Sequence, residues 1–271
     1  MKNQLLPELG KKTYIMGIIN LAHGSLFMIG AYTAFVCVRS FGELWYALPV
    51  ALAGGLLLGA LLERVLFRFF YAREHLDQVL LTFALVLLFE EARSLLIGND
   101  FYAVPVPALL DFSVPVSADF SYSAYRIFVL VVCLLLAGLL FLLIERTRFG
   151  AMVRAAASNQ EMVQLMGLDV TRIQVAVFAL GTGMAVLAGA PAAPLYSVYP
   201  GMGDGFLIVS FVVVVIGGIG SVSGAFWGAL LIGLVDTLGK VLLPGIAGMA
   251  IYLMMALVLL WRPNGLFARS T

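Results

Sequence analysis

Eight long apolar runs constrain this chain more than any other feature of its sequence. They lie at about 15–38, 45–63, 78–97, 126–144, 173–196, 206–220, 224–243 and 246–261. About 20 mostly apolar residues in a helix cross the roughly 30 Å hydrocarbon core of a bilayer, where the backbone must satisfy its own hydrogen bonds. The sequence therefore predicts an all-α fold, a polytopic transmembrane helical bundle of about eight membrane segments. We expect discontinuous helices only where protein or a water-lined cavity covers the break.

The composition excludes a soluble globular domain. Apolar residues make up 62% of the 271 residues and charged residues 11%, against about 45–50% and about 25% in soluble domains. Such a chain lacks the polar side chains that would cover a water-exposed surface. We therefore expect a single membrane domain over 1–271. The net charge of +1 gives no reason to expect a nucleic-acid partner.

Basic residues are concentrated in the segments that would share one side of the membrane. Three arginines lie between the second and third runs, four lie between the fourth and fifth, and both chain ends carry basic residues. The segment 98–125 on the opposite side carries three aspartates and no Lys or Arg. Because positively charged loops are retained in the cytoplasm, we expect both termini to be cytoplasmic.

No enzyme active site is recognisable in the sequence. The motifs HExxH, CxxC and GxSxG are absent, and two histidines with two cysteines supply too few ligands for the common metal sites. Cys37 and Cys133 both lie in apolar runs, so we interpret them as small buried hydrophobic residues. We expect no catalytic residue, no metal and no cofactor, and any ATP hydrolysis would occur in a separate subunit.

The glycine-rich stretch GGIGSVSG (217–224) resembles a phosphate-binding loop only superficially. It lacks the Lys-Ser/Thr pair that holds terminal phosphates and Mg²⁺, and it lies between apolar runs. Close helix packing or a helix break that faces a pathway fits the stretch better. Gly217, Gly218 and Gly220 are therefore our candidates for a helix break.

The stretch INLAHGS (19–25) places polar side chains inside an apolar run. Asn20 and His23 are three residues apart, which predicts a shared helix face, and Gly24 permits a break or close packing beside them. One interpretation is that both side chains hydrogen-bond neighbouring helices and fix the fold. A second is that they line a translocation path. A third role, His23 as a proton relay, is disfavoured if ATP supplies the energy.

The segment 145–172 is the longest stretch between two runs on the side that carries the basic residues. From Gly150 to Gly167 its pattern predicts one short amphipathic helix with polar residues on one side. The apolar side would carry Ala151, Ala155, Met162, Leu165 and Met166. The small residues Ala155, Ala156 and Ala157 would give it a low-relief surface. Two interpretations remain open: a helix on the membrane surface and a docking helix for a cytosolic motor.

Two charged pairs lie within or beside the apolar runs. Glu90 and Arg93 are three residues apart toward the outer end of the third run, where a local ion pair is the simplest interpretation. Asp236 and Lys240 are four residues apart, so the same helix face would bring them together.

Four stretches in the same order resemble the permeases of branched-chain amino acid ABC importers. They are INLAHGSLFMIGAY (19–32), the run from Arg154 RAAASNQEMVQLMGLDVTRI, FVVVVIGGIGSVSGAFWGALLIGLVD (211–236) and RPNGLF (262–267). The order and the INxAHG form are similar to the LivH-like branch of this family. Its members usually carry a further apolar helix before INxAHG, and residues 1–13 are a short N-terminal segment that resembles a truncated first helix at most.

The resemblance implies a function and a set of partners. The chain would be a permease subunit in the bacterial inner (plasma) membrane that moves branched-chain amino acids or a related small polar solute, such as urea, amides or aromatic acids. It would pair with a second, LivM-like permease subunit, two cytoplasmic ATPase subunits and a periplasmic or lipid-anchored solute-binding protein, surrounded by membrane lipid. Segment 145–172 would be a cytoplasmic loop whose coupling helix contacts the ATPase through Arg154, Ala155, Ala156, Asn159, Glu161 and Gly167.

Other function classes remain open on the residues alone. An ion-coupled secondary transporter would be expected to carry carboxylates in the middle of its spans and an inverted repeat, and neither is clear in the sequence. A non-transporting structural membrane protein would tolerate changes within 150–167.

Overall fold

The computed structural model describes residues 20–71, 73–117, 120–218, 220–242, 244–245, 247–263 and 265–267. The segment 1–13 and the start of the first apolar run lie outside the described residues. Within them the chain forms ten helices, which are α1 His23–Phe41, α2 Leu44–Phe70, α3 His75–Leu96, α4 Ala124–Arg146, α5 Arg148–Ser158, α6 Gln160–Leu165, α7 Val170–Tyr196, α8 Met202–Gly217, α9 Val222–Leu242 and α10 Ala247–Trp261.

The helices confirm the predicted polytopic bundle. Each of the eight apolar runs coincides with a helix, and α5 and α6 occupy the predicted loop between the fourth and fifth. Five helices (α1, α2, α4, α7 and α9) are long and apolar enough to cross a membrane, and α8 and α10 are shorter apolar helices. The chain is therefore a multi-pass membrane protein.

The segment between α3 and α4 adds a small sheet to the helical body. Strands β1 (Ser113–Ser117) and β2 (Phe120–Ser123) pair antiparallel as a hairpin. A separate bridge joins Tyr102 to Val198, with each N–H donating to the other carbonyl over 2.8 Å. The segment is thus attached to the loop between α7 and α8.

Helices α1, α2 and α7 pack through contacts between their backbones. A Cβ atom added at Gly30 would overlap the carbonyl oxygen of Val186, and one at Gly189 would overlap the carbonyl oxygen of Phe27. On α2, a Cβ at Gly55 would lie 2.8 Å from the Cα of Gly183. Small residues permit such close approach, which gives membrane helices dispersion contacts that lipid cannot replace.

Helices α8, α9 and α10 form a second packed group. Gly217 and Gly224 face each other so closely that a Cβ on either would overlap the other's carbonyl oxygen. A separate apolar cluster joins the three helices through Val212, Ile216, Ile232, Ile251 and Val258. Gly217 and Gly224 of the GGIGSVSG stretch therefore serve helix packing in this group.

Candidate functional site

The start of α1 differs from the predicted arrangement of Asn20 and His23. The helix begins only at His23, so Asn20 lies in the preceding turn and the prediction of a shared helix face is wrong. Asn20 Oδ1 accepts a hydrogen bond from the Ala22 N–H (3.1 Å), and the Asn20 carbonyl accepts one from the His23 N–H (3.2 Å). A side chain that competes for nearby backbone donors favours such a turn over a continuing helix. Asn20 thus shapes the entry into α1.

Gly24 brings α1 into direct backbone contact with the first turn of α8. A Cβ at Gly24 would overlap the Gly203 carbonyl oxygen, and a Cβ at Gly203 would overlap that of Gly24. One turn further along, the rings of Phe27 and Phe206 lie 4.0 Å apart between centroids. His23 is exposed at this crossing. The INLAHGS stretch therefore marks the point where α1 and α8 meet.

The predicted local ion pair of Glu90 and Arg93 is confirmed and proves to be part of a larger network. Arg93 Nη2 lies 3.1 Å from Glu90 Oε2, and the same guanidinium donates to the Gly98 carbonyl (2.6 Å) and to Asn99 Oδ1 (3.1 Å). Glu90 Oε1 in turn accepts a hydrogen bond from the Gly201 N–H over 3.2 Å. We name these five residues the Arg93 clamp.

The Arg93 clamp positions the beginning of α8. Gly201, with a φ of +75°, precedes the first residue of that helix, and Gly203 contacts Gly24 two residues later. Arg93 also lies over the ring of Tyr32 on α1, 5.6 Å from its centroid. No local signal predicts the bond from Glu90 to Gly201, because the two residues are 111 positions apart.

The predicted helix break at 217–220 is present. Helix α8 ends at Gly217, Gly218 and Gly220 have φ values of +96° and +83°, and α9 begins at Val222. The RPNGLF ending packs against this break, because the Leu266 N–H donates to the Ile216 carbonyl over 2.8 Å. Glycine adopts positive φ without steric cost, which explains why it occupies both positions.

The segment 145–172 contains two helices where one was predicted. Asn159 adopts an extended backbone with φ −153° between α5 and α6, and its Oδ1 accepts a hydrogen bond from the Met162 N–H over 3.1 Å. Asparagine is a strong helix N-cap, so it ends one helix and starts the next. Thr147 caps α5 in the same way by accepting from the Gly150 N–H (3.2 Å).

The buried face of this segment also differs from the predicted one. Val153, Ala156 and Val163 are buried against Val170 and Ile173 at the start of α7. The residues assigned to the apolar side by the sequence are instead exposed. Met162, Leu165 and Met166 are 58%, 83% and 78% accessible. We name these three residues the methionine–leucine patch.

The candidate coupling residues divide into two groups in this structure. Arg154 turns back toward α4, where its guanidinium donates to the Ile144 carbonyl and lies 3.7 Å from Glu145 Oε2. Ala156 is buried. Ala155, Asn159, Glu161 and Gly167 are exposed, and Gly167 ends α6 with a φ of +80°.

The comparisons with known proteins agree with this architecture. The family model described as branched-chain amino acid transport system, permease component, matches residues 13–260. The high-affinity permease protein BraD of Pseudomonas aeruginosa is 29% identical over 94% of this chain and 87% of its own length. LivH of Escherichia coli K12 is 28% identical over the same shares, and the probable LivH of Methanocaldococcus jannaschii is 32% identical over 83% and 73%.

No solved structure matches this chain. The family model extends over nearly all of the helical body, from before α1 to the last turn of α10. The chain therefore belongs to the permease components of the branched-chain amino acid transport systems.

Proposed function

We propose that this protein is a permease subunit of an ATP-driven importer of branched-chain amino acids. The observation that carries the proposal is the family match over residues 13–260, joined with relatives named as high-affinity branched-chain amino acid permeases that align with 94% of the chain. The solute class is taken from those relatives. The partners would be a LivM-like permease subunit, two ATPase subunits and a solute-binding protein.

The α5–α6 unit is the proposed point of energy input. It presents the methionine–leucine patch, an exposed apolar surface of the kind that a partner protein covers. Glu161 lies beside this patch and is exposed as well. The clusters around Val153 and Arg154 anchor the unit on α7 and α4. A displacement of the patch by a bound partner would therefore be transmitted to the membrane helices α4 and α7.

We assign the crossing of α1 and α8 to the path that the solute takes through the membrane. His23 is exposed at that crossing, Asn20 shapes the turn before it, and the Arg93 clamp fixes the first turn of α8. Glycine contacts at Gly24 and Gly203 bring the two helix backbones together without side chains in between. The break at Gly217, Gly218 and Gly220 supplies a second point where α8 can change its angle.

The orientation of the chain completes the proposal. The α5–α6 unit, the segment between α2 and α3 and both termini would face the cytoplasm. The hairpin of β1 and β2, with Asp204 at the start of α8, would face the solute-binding protein. This arrangement follows the distribution of basic residues in the sequence.

The test is uptake of labelled leucine by proteoliposomes that contain the chain and its partner subunits. Unlabelled isoleucine and valine should compete, and arginine and ribose should not, because a site for a small apolar side chain excludes a charged or polyhydroxylated one. Empty liposomes are the control. Uptake that ribose abolishes and isoleucine leaves unchanged would contradict the proposed solute class.

A further inference from the structure

A cavity of about 380 Å³ opens between the end of α2 and the start of α7. Three arginines line it: Arg64 and Arg68 from α2 and Arg172 from α7. Its remaining wall includes the apolar side chains of Val175 and Ala176. The cavity thus offers guanidinium groups at one side and a hydrocarbon surface at the other.

The two carboxylates of the cavity do not neutralise the three arginines. Asp169 is engaged by Arg172, whose Nε lies 2.9 Å from Asp169 Oδ2, and Asp169 also caps α7 by accepting the Arg172 N–H. Glu63 is completely buried. Glu63 attracts both Arg64 and Arg68, and within the described part of the chain neither arginine lies within ion-pair distance of a carboxylate. The cavity therefore holds three arginines against two carboxylates. At least one positive charge of the cavity is therefore left uncompensated.

The backbone adds to the attraction for an anion. Helix α7 begins at Val170, so its free N–H groups and the positive end of its dipole lie at the cavity, and Thr171 adds a hydroxyl group. On α2, a π-helical turn over Glu63–Phe67 widens the helix at this level. Such turns occur mainly as single irregular turns, often at functional sites.

The position of the cavity points to a lipid. It lies where two membrane-spanning helices end, and the neighbouring α2 side chains Val65 and Phe69 are 54% and 59% accessible. A phosphate there would lie at the depth of the headgroups, with its acyl chains along this exposed apolar surface. Basic cavities between membrane helices favour anionic over zwitterionic headgroups.

We propose that the cavity between α2 and α7 binds the headgroup phosphate of an anionic phospholipid through Arg64, Arg68 and Arg172. One phosphodiester group carries one negative charge, which matches the uncompensated positive charge of the cavity. The bound lipid would hold the end of α2 against the start of α7. This site is independent of the transported solute, so it stands or fails separately from the proposed function.

The experiment is native mass spectrometry of the purified full chain with palmitoyl-oleoyl phosphatidylglycerol or palmitoyl-oleoyl phosphatidylcholine. We expect the first bound lipid to be retained with a clear preference for phosphatidylglycerol. The double variant Arg64→Gln/Arg68→Gln should weaken phosphatidylglycerol binding by about fivefold for each arginine and leave phosphatidylcholine unchanged. The variant Arg64→Lys/Arg68→Lys, which keeps both charges, should retain most of the preference.

The matched control is Arg146→Gln/Arg148→Gln, which removes the same charge from exposed arginines outside the cavity. Equal binding of phosphatidylglycerol by this control and by the Arg64→Gln/Arg68→Gln variant would overturn the proposal. Displacement of the signal by millimolar inorganic phosphate would assign the cavity to a free anion and also overturn it. A double variant that keeps its lipid but no longer co-purifies with an ATPase would assign these arginines to the protein partner instead.

Discussion

The body formed by α1, α2 and α7 and the smaller α5–α6 unit are held together in opposite ways. In the body, glycine backbones touch directly, as at Gly30 and Val186. In the α5–α6 unit, side chains such as Val153 and Val163 cover a small apolar cluster, and caps at Thr147 and Asn159 set the helix ends. Backbone contacts leave no room for substitution, whereas a small cluster can loosen locally. We therefore expect the body to be the rigid frame and the unit to be the part that moves against it.

The largest effect is expected when the rigid frame is broken. Gly30→Leu would place a side chain in the space that the Val186 carbonyl occupies. The backbone cannot yield there without separating α1 from α7, so the cost should reach or exceed the roughly 1–3 kcal/mol typical of overpacking. We expect almost no monodisperse protein after detergent extraction, measured by size-exclusion chromatography.

The control for this change is Gly54→Leu, because a side chain at Gly54 meets nothing within 4 Å. That variant should be extracted in normal amounts. Similar yields of Gly30→Leu and Gly54→Leu would show that the glycine contact does not hold the frame.

The second-largest effect should come from changes in the α5–α6 unit, which should impair coupling to the ATPase without unfolding the helical body. Gly167→Leu forces a branched side chain into a φ of +80°, which costs about 1–2 kcal/mol, and Arg154→Glu places a carboxylate beside Glu145 and the Ile144 carbonyl. We expect normal extraction, with uptake or ATPase co-purification reduced by at least about tenfold. Gly233→Leu, which meets nothing within 4 Å in a regular helix, is the control. Normal ATP-dependent uptake in both variants would remove the coupling role of this unit.

A smaller effect should follow from overfilling the local cluster. Ala156→Leu inserts three carbons into the cluster of Val153 and Val163, at a cost of about 1–3 kcal/mol that falls on α5, α6 and the first turn of α7. Hydrogen exchange should become faster at 148–165 and in the first turn of α7, and stay unchanged in α1 and the rest of α7. The exposed Ala157→Leu is the matched control. Faster exchange throughout α7 would mean that the unit and the frame are one rigid body.

The smallest effect is expected at the Arg93 clamp, which joins the frame to α8. Glu90→Gln keeps an oxygen for the Gly201 N–H and removes the charge that pairs with Arg93. For a half-buried pair we expect a loss of about 1 kcal/mol, seen as a slightly lower Tm. The exposed Glu91→Gln should leave the Tm unchanged. Identical Tm values for the two variants would show that the Arg93 clamp does not contribute to the stability of the protein.

The helices of the frame could be predicted from the sequence, but their partners could not. Apolar runs long enough to cross a bilayer locate the helices along the chain, because lipid permits little else. Nothing local reveals that Gly24 meets Gly203 or that Glu90 binds Gly201, because these pairs are far apart in the chain. The glycines predict close helix packing but do not identify the partner helix.

The candidate site likewise contains features that the sequence predicts and features that it does not. The glycine-rich stretch 217–224 predicts a helix break or close packing, and the structure shows both, because α8 ends at Gly217 and Gly217 packs on Gly224. The two-helix form of α5 and α6 was missed, although Asn159, a strong helix cap, was a readable local signal. The exposure of Met162 and Leu165 depends on how α7 packs against the unit, which periodicity alone does not specify.

One measurement tests the central claim that energy enters through the α5–α6 unit from a separate subunit. Purified chain, with its second permease subunit and binding protein, is reconstituted into vesicles with and without the ATPase subunits, and accumulation of labelled leucine is followed with ATP present. Our account requires accumulation only when the ATPase subunits and hydrolysable ATP are both present. Accumulation against a gradient without the ATPase subunits would contradict it.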